Sequence, residues 1–494
     1  IIYLYFYMNL ENMRSIHTID KNENYLIRKN VSNNITSKVL KYSYNMHLPE
    51  LKDINKKIKL NSKVQNCHSN NNNLMIEILR SRIINNLIKL FTIEISKFKT
   101  IIKANVLNKI FKYNKLNDLV QKWCWMQYYN KNLLDDVIPY VTDNKYYFDD
   151  FLKDFNYILN TNIDLSNNII KKLKQKVISF LYKSHSTFYT LATEKYIYLP
   201  ETYLCVTQKD NDVIFKIVYS SIIDKIFDIK NNKNLSYLIE LYKHQTIMFE
   251  ISININLYRR LYDKFIIHSK IKTLKHNIDN YIFCLIFRYF YIDSGNQQLA
   301  IDKKIKDIFK PYIDFELYGS AINVLSNNYC SLFYDIERYF GSKGNFFNIE
   351  LKQGIYWCNP PYDNTIMSNT AKKIINILQT NINIAFVITI PIWDSVTKNK
   401  SHTFEKVIKN YNLNSIANHN DYEIYALLKP YIKSELIIPK KRIPYFNHRL
   451  NTPIYAVDTY MLIIYDKIEY VYIKPILTAF DQIIELDQKN YFNT

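Results

Sequence analysis

From Leu74 onward the chain takes up a helical rhythm. Leu74, Ile78, Leu79, Ile83, Leu87, Leu90 and Phe91 recur every three or four positions, with Arg80, Arg82 and Lys89 between them. This spacing predicts an amphipathic helix. Stretches near 100–112, 114–130, 146–159, 166–193, 212–228, 234–250 and 254–292 carry a similar period, and no glycine interrupts them before Gly295. Residues 74–300 are therefore predicted to form a mainly α-helical domain with a few short strands. Residues 1–73 lack a sustained period and end in Ser69-Asn70-Asn71-Asn72-Asn73. They are predicted to be a disordered, Asn-rich basic arm.

After Pro311 the texture changes to strand, turn, helix. Tyr312–Tyr318, Tyr329–Tyr334, Gly354–Cys358, Ile382–Ile390 and Tyr455–Tyr465 read as buried or half-buried strands, with Thr365–Leu378 and His402–Asn410 as helices among them. Alternation of this kind predicts an open α/β sheet with a largely parallel core over 301–475, leaving 476–494 as a C-terminal tail. In such sheets ligands bind beyond the carboxyl ends of the strands.

Composition sharpens this division. At 494 residues and 48% hydrophobic the chain can bury at least one large core. Only five glycines occur, and all lie between Gly295 and Gly354. The surplus of Asn, Ile, Lys and Tyr elsewhere reflects AT-rich coding, so the surviving glycines mark places where a side chain does not fit. The net charge of +20 is also uneven, +19 over residues 1–310 and +1 over 311–494. A basic half suited to a polyanion thus precedes a nearly neutral half, although a solvated Lys-rich face accounts for the same excess. Six scattered cysteines without a CxxC pair imply reduced thiols in an intracellular protein and no zinc site. The apolar runs Tyr281–Ile292 and Ile382–Trp393 fall short of the ~20 residues that span a bilayer, so no membrane partner is expected. The opening run IIYLYFY lacks a basic flank and a cleavage site, and no signal peptide is expected.

The chemistry converges on Asn359-Pro360-Pro361-Tyr362, directly after one predicted strand and before a predicted helix. An exocyclic amino group on a base is a poor nucleophile because its lone pair is delocalised into the ring. Two acceptors, the Asn359 side-chain oxygen and the Pro360 carbonyl, would hold its N–H bonds and aim the lone pair. The prolines stiffen the loop and leave its carbonyls unpaired. Tyr362 would stack on the extruded base. The tetrapeptide alone reads first as a rigid turn, and its neighbours decide between the readings. Phe315-Glu316-Leu317-Tyr318-Gly319-Ser320-Ala321 is a strand ending in a small-residue turn, where backbone can approach a nucleoside cofactor. One strand later Asp335 or Glu337 is placed to accept hydrogen bonds from ribose hydroxyls. Together these form the layout of an S-adenosylmethionine-dependent amino-methyltransferase.

FELYGSAIN (315–323), YCSLFYDIERYFGSKGNFF (329–347), Asn359-Pro360-Pro361-Tyr362, AFVITIPIWDS (385–395) and YAVDTYMLIIY (455–465) occur in an order that resembles the phosphorylated-CTD-interacting factor family. These are mRNA cap-specific adenosine N(6)-methyltransferases, with viral and protist relatives. Roughly 150 residues carry the resemblance, and in that family the tetrapeptide ends in Phe. It implies a Rossmann-type methyltransferase core after a helical domain, S-adenosylmethionine as donor, and capped RNA beginning with adenosine as acceptor. Asn359, Pro360, Pro361 and Tyr362 carry over as catalytic. Glu316, Tyr318, Gly319, Ser320, Asp335, Phe340 and Gly341 carry over as cofactor-binding. Animal members also carry a WW domain, which needs two Trp about twenty residues apart; Trp123, Trp125, Trp357 and Trp393 do not supply that pair. A member lacking the WW domain, without docking to a polymerase tail, is therefore expected. Its setting would be the cytoplasm, a viral factory included, or the nucleus.

Two further groups are candidates for substrate binding. Lys440, Lys441, Arg442 and Arg449, beside Tyr445, Phe446 and His448, would clamp RNA phosphates and stack on the cap, or form a solvated loop. Arg288, within an apolar helix, would reach the RNA or a buried carboxylate, with RNA preferred. A DNA adenine N(6)-methyltransferase and an inactive RNA-binding scaffold are the competing readings; the absence of a separate target-recognition domain after the core weighs against the first.

Overall fold

The computed structural model describes residues 64–66, 72–100, 115–130, 137–139, 151–152, 155–156, 168–193, 202–219, 249–269, 278–292, 299–324, 326–392, 420–438, 445–447, 452–454 and 458–488. The chain divides into two units, 1–262 with 271–295 and 263–270 with 296–494.

In the first unit the stripe that begins at Leu74 forms α1 (Asn72–Ile95), and Leu74, Ile78, Leu79, Ile83, Leu87 and Phe91 are all buried. Helices α2 (Lys115–Asn130) and α3 (Asn168–Thr193) follow close to their predicted bounds. A four-stranded antiparallel sheet accompanies them, in the order β1 (Val64–Asn66), β2 (Thr202–Lys209), β3 (Asp212–Tyr219) and β4 (Phe249–Asn254). This corrects the predicted helix at 212–228, whose first eight residues are β3. It also corrects the basic arm, because Val64–Asn66 inside it pairs with β2. The physical reason is a hairpin without glycine. Asp210 holds φ +53 in the two-residue turn, a conformation Asp tolerates better than most residues, and alternating apolar side chains of β3 face the core. The predicted helix at 254–292 is two helices, α4 (Ile255–His268) and α5 (Ile278–Ile292). From Asp263 on, α4 counts with the second unit.

The second unit is a three-layer α/β structure. Its elements are β5 (Leu299–Ile301), α6 (Lys303–Phe309), β6 (Phe315–Glu316), α7 (Tyr334–Glu337), β7 (Gly354–Cys358), α8 (Asn364–Thr380), β8 (Ile384–Ile392), α9 (Asn420–Leu428), β9 (Ile432–Ile438), β10 (Tyr445–Asn447), β11 (Thr452–Ile454), β12 (Asp458–Tyr465) and α10 (Tyr470–Gln488). The main sheet runs β6-β7-β8-β12-β9. Strands β6, β7 and β8 are parallel, while β12 is antiparallel to both neighbours. Parallel bridges Glu316↔Tyr329 and Tyr329↔Ser342 extend it on the far side of β6. All nine residues of β8 are buried, as expected for a central strand covered on both faces. One face packs Phe386, Ile388, Leu462 and Tyr356 against α8 and α9. The other packs Trp357, Val387, Met461 and Ile463 against α6 and α10. The segment expected as a tail, 476–494, is therefore a correction: through Gln488 it continues α10, and Ile476, Ala479, Phe480 and Ile483 close the core. A small antiparallel sheet, β11-β10-β5, completes the unit.

From β6 the chain moves outward through Tyr329 and Ser342, then returns to β7 on the opposite side of β6. The connections thus reverse direction between β6 and β7. A crevice outside the carboxyl ends of these two strands is where an open α/β sheet binds its ligands.

Candidate functional site

The turn after β6 and the turn after β7 flank that reversal point. Asn359-Pro360-Pro361-Tyr362 connects β7 to α8, the strand–turn–helix context predicted for it. Asp363 ends the turn as the N-cap of α8, its Oδ1 accepting from the backbone N–H groups of Thr365 at 3.0 Å and Ile366 at 3.3 Å. The Asp363 N–H donates to the Pro361 carbonyl at 2.7 Å, which tightens the loop. The Pro360 carbonyl has no hydrogen-bond partner among the described residues, which leaves it open as an acceptor.

Asn359 Oδ1 accepts two hydroxyl hydrogen bonds, from Thr389 at 2.8 Å and from Tyr362 at 3.2 Å. The Tyr362 hydroxyl is also hydrogen-bonded to that of Tyr445, and Tyr445 to Thr459 Oγ1 at 2.5 Å. The Tyr362 and Tyr445 rings meet edge to face, with centroids 6.0 Å apart. Burial and the neighbouring Tyr445 hold the Tyr362 hydroxyl well above the usual phenol range, and burial pushes Tyr445 up to about 12. Both are protonated donors at neutral pH.

Sequence reading missed Thr389, Tyr445 and Thr459 as members of this group. Thr389 carried a signal, as the lone hydroxyl residue in the apolar run Ile384–Ile392. Tyr445 was read as part of a basic RNA-binding loop; the structure instead buries it in β10.

On the β6 side, Tyr318, Gly319 and Ser320 form the expected turn. The Tyr318 hydroxyl donates to Thr370 Oγ1 at 2.6 Å, and its ring packs against Phe346 and Phe347 at 5.5 and 6.5 Å. Gly319 donates to the Cys330 carbonyl at 3.0 Å, and a Cβ there would lie 2.1 Å from Val324 Cγ1. Close packing within the turn therefore requires glycine. The Ser320 N–H is held by Asn323 Oδ1 at 2.8 Å and the Ala321 N–H by Glu337 Oε2 at 2.8 Å. Glu337 is fully buried and also accepts from the Tyr329 hydroxyl at 2.9 Å. Of the two acids proposed for ribose, Glu337 thus braces the turn, while Asp335 is the half-buried one at the start of α7.

Four expected roles are corrected. Glu316 is buried, with Oε2 accepting from Lys306 Nζ at 2.8 Å and Oε1 from the Ser326 N–H at 2.8 Å; both oxygens are engaged within the protein, where they anchor the turn. Phe340 and Gly341 precede Ser342, level with the residues before Tyr329. That position is the amino end of the strands, opposite the reversal-point turns. Phe340 packs there on Phe265, 5.6 Å between centroids. Arg288, 1% exposed, donates from Nε to Glu77 Oε1 at 2.8 Å and from Nη2 to Glu77 Oε2 at 2.6 Å, so the buried carboxylate is its partner. Lys440, Lys441, Arg442 and Arg449 lie outside the described residues.

A nucleoside cofactor needs a carboxylate for its ribose and an apolar wall for its base. Asp335 would provide the first at the carboxyl end of the second strand position. Tyr318 and Phe347, both half-buried and backed by the buried Phe346, would provide the second at the ends of the first and third. The residues present fit the group. Among the described residues no set of three His, Cys, Asp or Glu side chains is placed to hold a metal ion. No described helix is long and apolar enough to cross a membrane.

Residues 256–422 match the family model described as phosphorylated CTD interacting factor 1 WW domain. A mouse protein named mRNA (2'-O-methyladenosine-N(6)-)-methyltransferase is 29% identical over 121 residues, 23% of this chain and 17% of that protein. The human protein of the same name is 29% identical over 82 residues, 16% of this chain and 12% of that protein. The chain thus spans about a sixth or less of the length of these relatives. The description of the matching model overturns the expectation that this chain lacks the family's WW-described region, and with it the ground for expecting no polymerase-tail docking. That expectation tested for two closely spaced tryptophans, whereas the match runs from α4 past β8 and contains Trp357 and Trp393 at wider spacing.

Proposed function

We propose that the chain is an S-adenosylmethionine-dependent methyltransferase that modifies the N6 amino group of an adenosine, the first transcribed nucleotide of a capped mRNA. One observation carries the reading: the Asn359 side-chain oxygen and the Pro360 carbonyl, unpartnered among the described residues, stand together at the carboxyl end of β7, beside the reversal of strand order. The names of the mouse and human relatives support the same chemistry. The sheet order, with one antiparallel strand next to β8, supports a Rossmann-type methyltransferase core.

In this reading the adenine leaves its stack and enters beside Tyr362, which supplies a π-face. Its two N6–H bonds point at Asn359 Oδ1 and the Pro360 carbonyl. Holding both hydrogens out of the ring plane uncouples the nitrogen lone pair from the purine and aims it at the donor. Thr389 fixes the carboxamide through its 2.8 Å hydrogen bond, so the acceptor is preorganised. The turn 318–320 and Asp335 would hold the cofactor, which supplies an electrophilic methyl group when bound. The remaining task is to keep the reacting atoms in line, about 3–3.5 Å apart. Because Asn359 is uncharged, the proton lost from N6 passes outward to solvent.

Methyl transfer from radiolabelled S-adenosylmethionine to A-initiated capped RNA, the same RNA uncapped, and duplex DNA tests the proposal. Capped RNA is expected to be labelled as N6-methylated adenosine by mass spectrometry of the nucleosides. Asn359→Ala is expected to lower the rate about 100-fold. Equal labelling without a cap removes cap specificity; labelling of DNA alone moves the enzyme to DNA; no labelling of any acceptor leaves a binding scaffold.

A further inference from the structure

An amide oxygen has two acceptor positions, and both positions of Asn359 Oδ1 are filled by hydroxyls. Oδ1 cannot donate, so the protons of Thr389 and Tyr362 both point at it. With the Tyr362 proton on Oδ1, the proton in the Tyr362–Tyr445 contact comes from Tyr445, and the one in the Tyr445–Thr459 contact from Thr459; the Thr389 and Thr459 hydroxyls also reach that of Tyr362. The outcome is a one-way chain of donors, Thr459 to Tyr445 to Tyr362 to Asn359, assembled from β12, β10 and the turn after β7. Burial keeps the phenols protonated. Of the two bonds to Oδ1, that from Tyr362 is the longer, 3.2 Å against 2.8 Å.

We propose that Tyr362, Tyr445 and Thr459 form a latch that occupies the acceptor of Asn359 until an exocyclic amino group displaces the Tyr362 hydroxyl, while Thr389 stays in place. The inference rests on the reading of Asn359 as the acceptor for a base amino group, and it makes Tyr445 and Thr459 positioning residues for that site. A base without the amino group cannot take the vacated place on Oδ1. The latch therefore selects against such bases as well as closing the empty site. Exchange of one hydroxyl donor for one N–H donor leaves Oδ1 satisfied throughout, so the latch opens without stranding a buried acceptor.

The test compares two fluorescein-labelled capped RNAs, one beginning with adenosine and one with purine riboside, which lacks the 6-amino group. Binding is read by fluorescence anisotropy for the full chain and for Tyr362→Phe, Tyr445→Phe and the double variant. Removing the competing donor is expected to tighten adenosine-start RNA about 2- to 10-fold in Tyr362→Phe, the range set by one net hydrogen bond. Purine-start RNA should bind all forms alike. Tyr445→Phe should give part of the gain alone and none in the Tyr362→Phe background. Thr459→Val should behave like Tyr445→Phe. In methyl transfer, KM for the RNA is expected to fall with the binding constant. Unchanged or weaker adenosine-start binding by Tyr362→Phe overturns the latch, as does an equal effect on both RNAs or an additive effect of Tyr445→Phe. A chain that discriminates the two RNAs as described but transfers no methyl group keeps the latch and loses the enzymatic reading. A chain that methylates RNA without the discrimination does the reverse.

Discussion

Thr389, the sixth residue of β8, donates its hydroxyl to Asn359 Oδ1 over 2.8 Å, joining the centre of the sheet to the turn that ends β7. The two residues are thirty apart in sequence but neighbours in space, because β7 and β8 are parallel and in register from Gly354↔Ile384 to Cys358↔Ile388. The register itself brings Thr389 level with Asn359. Thr389→Val keeps the shape and removes the hydroxyl, freeing the carboxamide to turn. The expected outcome is a fall in kcat of about tenfold with a smaller change in KM, and recovery in Thr389→Ser. Equal loss in both variants would show that packing, not the hydroxyl, is what the site requires.

In the first unit Glu77 accepts from Arg288 through both oxygens, from Arg80 Nη1 at 3.2 Å and from the Tyr291 hydroxyl at 2.5 Å. Removing one partner strands a buried charge. Glu77→Leu or Arg288→Met alone is expected to destabilise this unit by about 3–5 kcal/mol. The paired change Glu77→Leu with Arg288→Met should recover part of that loss, because neither charge of that pair is left buried alone, while Arg80 and the Tyr291 hydroxyl still lose their acceptor. Denaturant unfolding of the single and double variants closes the cycle. RNA binding by the folded double variant supplies a control: if Arg288 met a phosphate, its loss would reduce the slope of log affinity against log salt by about one.

These residues show what was legible in the chain and why the rest was not. The stripe of α1, the bounds of β7 and the context of Asn359-Pro360-Pro361-Tyr362 were readable because each depends on local periodicity or turn chemistry. Arg288 was misassigned because its partner lies 211 residues upstream, and no local pattern reports a contact of that kind. β3 was taken for helix because Asp210, not glycine, makes the turn before it. β9 escaped notice because Lys433, Ser434 and Glu435 interrupt its apolar alternation. Tyr445 was judged by its basic sequence neighbours, whereas its environment comes from β5, β11 and Thr459. The five glycines marked the right region but not one role: Gly319 serves the reversal-point turn, and Gly341 the opposite end of the sheet.

His268, half-buried at the end of α4, is held below the ordinary imidazole range by burial, and secondarily by the charges of Lys264 and Lys343. The sign of its effect on stability follows from linkage. The unfolded chain takes up the proton at higher pH than the folded one, so neutral His268 contributes stability that is complete above the unfolded pKa of about 6.5 and is lost as pH falls below it. Thermal unfolding between pH 7.5 and 5 is expected to show this loss in the second unit. His268→Gln, neutral throughout, should flatten the profile. A profile unchanged by that substitution would assign the acid sensitivity to other groups.

Gly341 and Gly344 share a left-handed backbone, φ +106 and φ +100, but differ in what surrounds them. A Cβ on Gly341 would lie 2.5 Å from the Asn327 carbonyl oxygen and 2.7 Å from His268 Nε2. Its nearest neighbour on Gly344 would be Tyr334 Cδ2 at 3.7 Å, an ordinary contact. Gly344→Ala therefore costs only the conformational term, about 1–2 kcal/mol. Gly341→Ala adds a collision with main chain that cannot swing aside, and the total is expected to reach about 3 kcal/mol or more. For a unit of this size the difference amounts to roughly 2–8 °C in Tm. Because Gly341 lies at the amino end of the strands, the cofactor affinity of Gly341→Ala, measured by calorimetry below its melting temperature, should stay within twofold of the parent chain. A large selective loss of cofactor binding without a loss of stability would return Gly341 to the cofactor pocket.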